Sequence, residues 1–134
     1  RGKRSVLPGL RAARLREQMA EIKKINAQFA GEGNDFRLLA GVEVDIVKNG
    51  LDLEDDILSE LEVVVASLHQ PSNSENENTK RLIRAAENPF VHFIAHPTGR
   101  LLLEREAYPV NLAAVVDACA ATGTWIELNC SPRR

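Results

Sequence analysis

The sequence predicts an α/β protein built on a parallel sheet, and three observations support this prediction. Helix-like and strand-like segments alternate along the 134 residues. The strand-like segments are nearly continuous apolar runs, which is typical of strands buried on both faces of a parallel sheet. One polar group stands in or at the end of each run, at Glu43, His69, His96 and Glu127. Two architectures fit this pattern, a doubly wound sheet and a barrel.

The first helix and strand follow from spacing and composition. Residues 10–29 carry apolar side chains at three-to-four spacing and predict an amphipathic helix, which the segment GEGND ends. Residues 37–47 are rich in branched side chains and predict a strand that closes at Asn49 and Gly50.

A short helix and a second strand are expected next. Asp52 and Asp55 have the spacing of an N-cap and its capping box, which predicts a short helix ending at Leu61. The apolar run 63–69 predicts the second strand, and the polar segment 70–79 predicts the loop that follows it.

The third helix and strand repeat the same unit. Asn78 or Thr79 is expected to cap a helix over residues 80–88. Pro89 stops that helix, because the residue before a proline avoids the helical conformation. Residues 91–97 then predict the third strand.

The last unit begins at a proline and ends in the fourth strand. Pro109 suits the first turn of a helix that continues to Thr122. Gly123 is the expected C-cap of this helix, and residues 124–130 predict the final strand.

Composition and charge narrow the functional classes. The chain is 44% hydrophobic and 27% charged, and it contains no apolar run of the length that a transmembrane helix needs. Cys119 and Cys130 lack metal or redox spacing, which predicts a reduced, cytoplasmic protein. Residues 1–24 hold eight basic and two acidic groups, a net charge of +6. This basic segment is either a nucleic-acid contact or a solvated helix face.

The histidines at the strand ends are the strongest functional signal. Imidazole is a common metal ligand and also the usual general base at neutral pH. The carboxyl ends of parallel strands meet at one edge of a sheet, so His69 and His96 are expected to share a site. His92 lies four residues before His96, about 13 Å away along a strand, and is expected to be structural.

A carboxylate completes the expected ligand set. Glu43 lies inside an apolar strand, where a buried carboxylate needs a partner or a metal. Asp45 faces the same side of the strand and is a candidate to support a ligand. Two imidazoles and one carboxylate suit Zn, Mn or Fe better than Ca or Mg. The alternative is a pair of carboxylates held by an arginine.

Two residues near the strand ends are candidates for binding substrate. Arg100 can hold a phosphate oxygen through its fork of donors, or it can pair with Glu104 or Glu106. Asn129 can orient a ligand or a substrate group.

Three motifs in order resemble the polymerase-and-histidinol-phosphatase (PHP) superfamily. They are GVEVDI at 41–46, ASLH at 66–69 and HPTGR at 96–100. Over residues 10–134 the chain is similar to the C-terminal PHP domain of bacterial family-X DNA polymerases. The resemblance implies a distorted (β/α)7 barrel resembling a TIM barrel, with a metal cluster at its strand ends.

The resemblance also implies a set of site residues and a reaction. Three residues fall on metal ligands of the family and are the expected catalytic residues: Glu43, His69 and His96. Three more are candidates for phosphate binding or for supporting a ligand: Arg100, Asp45 and Asn129. The implied cofactor is a divalent cluster of Mn or Zn. The implied reaction is phosphoester hydrolysis, which in family-X polymerases is a 3′-5′ exonuclease acting on DNA 3′ ends in repair.

The departures from the family pattern limit what this chain is expected to do alone. The family's further His and Asp ligands are absent, since the histidines number only three. Residues 1–134 are therefore expected to form about half of a barrel, a partial PHP domain with a basic leading segment at 1–9 and α/β units at 10–134. The rest of the barrel and an N-terminal polymerase region are the expected partners, no membrane is expected, and the fragment alone is expected to be inactive.

Two other functions remain open at this point. The first is a stand-alone PHP phosphatase that acts on a small phosphomonoester such as histidinol phosphate. The second is a non-catalytic structural or metal-binding PHP module. The HPTGRLL turn favours the polymerase over the stand-alone phosphatase, and the three intact ligands weigh against the non-catalytic module.

Overall fold

The structure, a computed structural model, describes residues 8–134, so most of the predicted basic leading segment 1–9 lies outside the described residues. Its helices are α1 Pro8–Gly31, α2 Asp55–Leu58, α3 Glu75–Ala86 and α4 Leu112–Thr122. Its strands are β1 Gly41–Val47, β2 Gly50–Leu51, β3 Val63–Ser67, β4 Phe93–Ala95 and β5 Trp125–Ile126. The predicted α/β class is confirmed.

The five strands form one mixed sheet in the order β2-β1-β3-β4-β5. β1, β3, β4 and β5 are parallel, whereas β2 pairs with β1 in the antiparallel direction through Leu51 and Gly50. The prediction of a purely parallel sheet was therefore wrong, because β2 is too short to produce an apolar run. A doubly wound sheet needs a reversal of strand order, and the four parallel strands follow the order of the chain without one.

The core lies on one face of the sheet. Along β1, Val44 and Ile46 point into the core at 0% and 3% exposure, together with the buried Ile94 of β4. Residues of α1, α3 and α4 pack against the same core. The opposite face is largely open, and there Trp125 is 65% exposed, with its ring edge-on to Phe93. The expectation that both faces of the strands are buried agrees with β3 and β4, in which every residue is buried or half-buried, and fails for β1 and β5, which have exposed residues.

The segment before β1 is extended but is not part of the sheet, although residues 37–47 were predicted as one strand. The side chain of Asn26 donates to Leu38 O and accepts from Leu38 N, at 2.9 and 2.8 Å. The amide of Ala40 donates to the Glu62 carboxylate at 2.9 Å. Side chains satisfy these backbone groups, so no neighbouring strand is needed.

The predicted capping box of α2 was wrong. The N-cap is Glu54, which makes no side-chain cap bond, and the helix ends at Leu58. Asp52 instead accepts from the amide of Asp45 at 2.8 Å and pairs with Arg11. The carboxylate therefore holds the hairpin and α1 together, and it is not available to the helix.

α3 begins five residues earlier than predicted. Ser74 is the N-cap, and its hydroxyl accepts from the amide of Glu77 at 3.3 Å. Asn78 is fully buried inside the helix and donates to Ser72 O and Pro109 O. The expected cap at Asn78 or Thr79 was wrong, since both side chains fasten loops to the helix.

The end of α4 was predicted correctly and its start was not. Asn111 caps the helix by accepting from Ala114 N at 3.1 Å, so Pro109 lies before it. Gly123 has φ +79° and donates to Cys119 O, which confirms the predicted C-cap. Within residues 8–134, no helix combines the length and the apolar character that a membrane span requires.

Candidate metal centre

The candidate ligands meet at the carboxyl-terminal edge of the parallel strands. Glu43 lies in the middle of β1. His69 is the second residue after β3 and His96 the first after β4, because both strands end earlier than predicted. Side chains alternate between the two faces of a strand, and Glu43 lies on the open face with Val44 turned to the core. The topology therefore brings one group from each of three neighbouring strands to the same place.

The three side chains are close enough to share one ion. Glu43 Oε1 lies 3.1 Å from His69 Nε2 and 3.8 Å from His96 Nε2. One possible ligand atom from each residue lies within 4.8 Å of the others. Ligand atoms bound to one Zn at about 2.0–2.2 Å are separated by no more than roughly 4.4 Å. A small side-chain rotation brings all three into that range, so this donor set fits a divalent transition metal.

Each candidate ligand has a polar partner of its own. Ser67, which is completely buried, donates from Oγ to Glu43 Oε1 at 2.6 Å. The carboxylate of Asp45 contacts His69 Nδ1 and so directs His69 Nε2 towards Glu43. A carboxylate on the second ring nitrogen is the usual support of a metal-binding histidine, since it fixes the tautomer and the ring orientation.

His96 is held through its backbone. Its amide donates to Glu127 Oε2 at 2.7 Å, and Glu127 in turn accepts from Asn129 Nδ2 at 3.1 Å. The backbone of His96 has φ +29°, a left-handed conformation that few residues other than glycine adopt. Burial lowers the pKa of His96, and the positive charge of Arg134 lowers it further. Its imidazole is therefore in the neutral, ligand-competent form near pH 7.

The three candidate ligands differ in the exposed fraction of their side chains, and the exposure of Glu43 corrects one prediction. The side chain of Glu43 is 52% exposed, that of His69 39% and that of His96 13%. The expectation that Glu43 is a buried carboxylate was wrong, because it lies on the open face of the sheet. Its carboxylate contacts Ser67 and two imidazoles, and it pairs with no arginine among the described residues.

The other predicted residues lie near the cluster without joining it. His92 accepts from Val64 N through Nδ1 at 3.0 Å and so supports the backbone of β3. Asn129 supports Glu127 and does not reach the cluster. Arg100 is exposed and forms no ion pair with Glu104 or Glu106 in the part of the chain that the structure describes, and Glu104 pairs with Arg133 instead.

Sequence reasoning missed several residues around the cluster. Ser67 lies two positions before His69, and this alternation is the signal that places its hydroxyl on the ligand side. Glu127 was noticed as a strand-end group, but its bond to the amide of His96 depends on strand pairing. Arg105 and Tyr108 line a recess beside His96 and had no sequence signal, since a loop brings them there.

Comparisons with known proteins agree with the motifs. The DNA polymerase/3′-5′ exonuclease PolX of Bacillus subtilis is 43% identical over 131 residues, which are 96% of this chain and 22% of that protein. Proteins named "Probable phosphatase" from Thermoanaerobacter sp. and Caldanaerobacter subterraneus are 39% and 38% identical over 69% of the chain. The chain spans 38% and 36% of their lengths. No family model matches the chain. The chain is therefore homologous to PolX and to these phosphatases, and with its three ordered motifs the relatives are consistent with the PHP superfamily and with the PHP region of family-X DNA polymerases.

Proposed function

We propose that this chain contributes metal-binding residues to a metal-dependent phosphoesterase, which in the full-length protein is the 3′-5′ exonuclease of a family-X DNA polymerase. The observation that carries the proposal is the convergence of Glu43, His69 and His96 at one edge of the sheet. The identity with a polymerase/3′-5′ exonuclease over 96% of the chain supports the polymerase context. DNA 3′ ends are the proposed substrate, and the proposed location is cytoplasmic.

The donor set favours Mn or Zn as the proposed cofactor, because imidazole suits these ions better than Mg or Ca. When bound, such an ion acts as a Lewis acid towards a phosphoryl oxygen. The chain's own residues prepare the ligand atoms. Asp45 keeps the proton of His69 on Nδ1, so that Nε2 is free to bind, and Ser67 orients Glu43 by donating to Oε1.

We further propose that the sheet is about half of the wall of a distorted (β/α)7 barrel. In a barrel of this type the parallel strands follow chain order and the helices lie outside, as β1, β3, β4 and β5 do with their helices. In this proposal residues 10–134 are a partial PHP domain after a leading segment at 1–9. The remaining wall and further metal ligands belong to other segments of a longer protein, together with an N-terminal polymerase region.

A stand-alone phosphatase is the second candidate. The observation in its favour is that relatives named "Probable phosphatase" are 39% identical over 98 residues, 69% of the chain. Such an enzyme would use the same ligands on a small phosphomonoester. The two candidates therefore differ in substrate and agree on the metal site.

The test is the substitution His96→Ala in the full-length protein. Loss of one ligand should remove metal from the site and lower the rate of cleavage of single-stranded DNA by about a thousandfold, or roughly 4 kcal/mol of barrier. His92→Ala is the matched control, because it removes the same kind of side chain four residues before His96 and outside the ligand cluster. It should keep metal affinity and rate close to the wild type.

Metal content is measured beside activity in both variants. The proposal is wrong if His96→Ala retains full metal content and cleaves DNA within about tenfold of the wild-type rate. A wild-type enzyme that hydrolyses small phosphomonoesters and leaves DNA ends intact would assign the site to the phosphatase class.

A further inference from the structure

A recess of about 260 Å³ lies beside the ligand cluster. His69 and His96 form part of its wall, and the loop after β4 contributes Arg105, Glu106 and Tyr108. A molecule in this recess contacts the same imidazoles that the proposed metal site uses. The loop residues are not members of the ligand cluster, so the recess is a separate subsite next to the proposed reaction centre.

Arg105 is fixed at one end and available at the other. Its Nε donates to Gly99 O at 2.8 Å, and its terminal nitrogens bond to no atom of the described residues. Gly99 has φ +61°, and the ring of Tyr108 lies 2.7 Å from the position that a Cβ there would take. The loop is therefore locked against the ring, and the guanidinium presents a fork of the kind that binds phosphate oxygens in pairs.

The recess carries more positive than negative charge. Arg134 also lines it, close enough to lower the pKa of His96 after burial has done so. Glu106 is the one carboxylate on the described wall. Two guanidinium groups against one carboxylate leave an excess of one positive charge among the Arg and Glu side chains of the wall. Such a wall attracts an anion.

We propose that this recess binds a second phosphate of the substrate, next along the strand from the phosphodiester at the ligand cluster, and that Arg105 holds it. The inference rests on the proposed phosphoesterase function and narrows the substrate to a polynucleotide strand. A small phosphomonoester has a single phosphate, which the cluster takes, and so it offers Arg105 nothing to bind. The sequence had assigned phosphate binding to Arg100, which does not line the recess.

The test compares two substrates in the full-length protein with Arg105→Gln. For a single-stranded oligonucleotide, KM should rise about tenfold, or roughly 1.4 kcal/mol, with kcat little changed, because the hydrogen bonds from Arg105 to the second phosphate are lost. For bis(p-nitrophenyl) phosphate, which has one phosphate, both constants should stay at the wild-type values. Arg105→Lys should restore the oligonucleotide KM only in part, since lysine keeps the charge and lacks the fork.

Arg133→Gln is the matched control, because this exposed arginine from the same edge is already paired with Glu104. Metal affinity is measured in every variant and should not change. An equal loss on both substrates, or no loss on either, overturns the inference.

If the wild-type protein cleaves neither substrate, the proposed function fails, and the inference that Arg105 holds a second phosphate is then tested by binding alone. Calorimetry with 5′-phosphorylated dithymidylate should then still show weaker binding to Arg105→Gln than to the wild type, and equal binding overturns the inference.

Discussion

At the scale of single residues, Tyr108 carries a buried polar group that the fold leaves without a hydrogen bond. Its hydroxyl is buried and has no hydrogen-bond partner among the described residues. Burial raises the pKa of Tyr108 to about 12, although the charges of Arg81 and Arg105 oppose the rise. A buried donor without a partner costs about 1–3 kcal/mol. The ring is needed to pack against Gly99, so the hydroxyl is the part of this residue that lowers stability.

We expect Tyr108→Phe to raise the free energy of unfolding by about 1 kcal/mol at pH 7. The pH dependence has a definite sign. The pKa of this phenol is about 12 in the fold and about 10 in the unfolded chain, so stability falls as the pH rises from about 10 to about 12. Urea unfolding at neutral and alkaline pH measures both effects. The substitution should remove this part of the alkaline loss, and a variant less stable than the wild type at pH 7 would contradict the expectation.

The three candidate ligands could be predicted from sequence, whereas their partners could not. Glu43, His69 and His96 are polar groups on apolar strands, and parallel strands bring such groups to one edge. The hydroxyl of Ser67 meets Glu43 only through strand register, and Arg105 reaches the recess only through the path of a loop. Neither register nor loop path leaves a periodic pattern in the sequence.

At the scale of elements, α3 holds the site edge through one buried arginine. The guanidinium of Arg81 donates to Gln70 O at 2.9 Å and to Ile46 O at 2.5 Å. These carbonyls belong to the residues that follow His69 and Asp45, the pair whose contact orients one ligand. Arg81 is 8% exposed, so little solvent competes for these two bonds.

Arg81→Met should lower the free energy of unfolding by about 2–4 kcal/mol, because two bonds to a charged group are lost and two carbonyls lose a donor. It should also weaken metal binding, since the backbone around His69 and Asp45 loosens. Arg84→Met is the control on the next turn: among the described residues this exposed arginine bonds only to Lys48 O, at 3.3 Å, and its loss should change stability by about 0.5 kcal/mol or less. Chemical denaturation and competition with a metal chelator measure the two effects. Unchanged metal affinity in Arg81→Met would limit its role to stability.

The elements themselves were largely predictable, and their ends were not. Apolar spacing, apolar or branched runs and turn residues located α1, α3, α4 and the four parallel strands, and α2 was predicted from a capping box that the structure does not form. The predicted caps were wrong where the polar side chains bond to other parts of the chain. Asp52 bonds to Asp45 and Arg11, and Asn78 bonds to the loop before its helix. Local spacing gives no sign of such distant partners.

At the scale of the whole molecule, one face of the sheet is left largely uncovered by the described residues. We expect the rest of the proposed barrel to cover it in the full-length protein. Trp125, the single tryptophan of the chain, is 65% exposed on this face. Hydroxyl-radical footprinting with mass spectrometry should therefore find Trp125 several-fold less reactive in the full-length protein than in residues 1–134 alone. Equal reactivity in the two would contradict the barrel proposal.

The order of the parallel strands also bears on how the protein is made. Each of β3, β4 and β5 pairs with the parallel strand that precedes it in the chain. During synthesis, every new strand therefore finds its neighbour already outside the ribosome, and no strand waits for a distant partner. The last of the three candidate ligands, His96, is translated before α4 and β5. The hydrogen bond from the backbone amide of His96 to the Glu127 carboxylate then forms last, after the other parts of the site edge are in place.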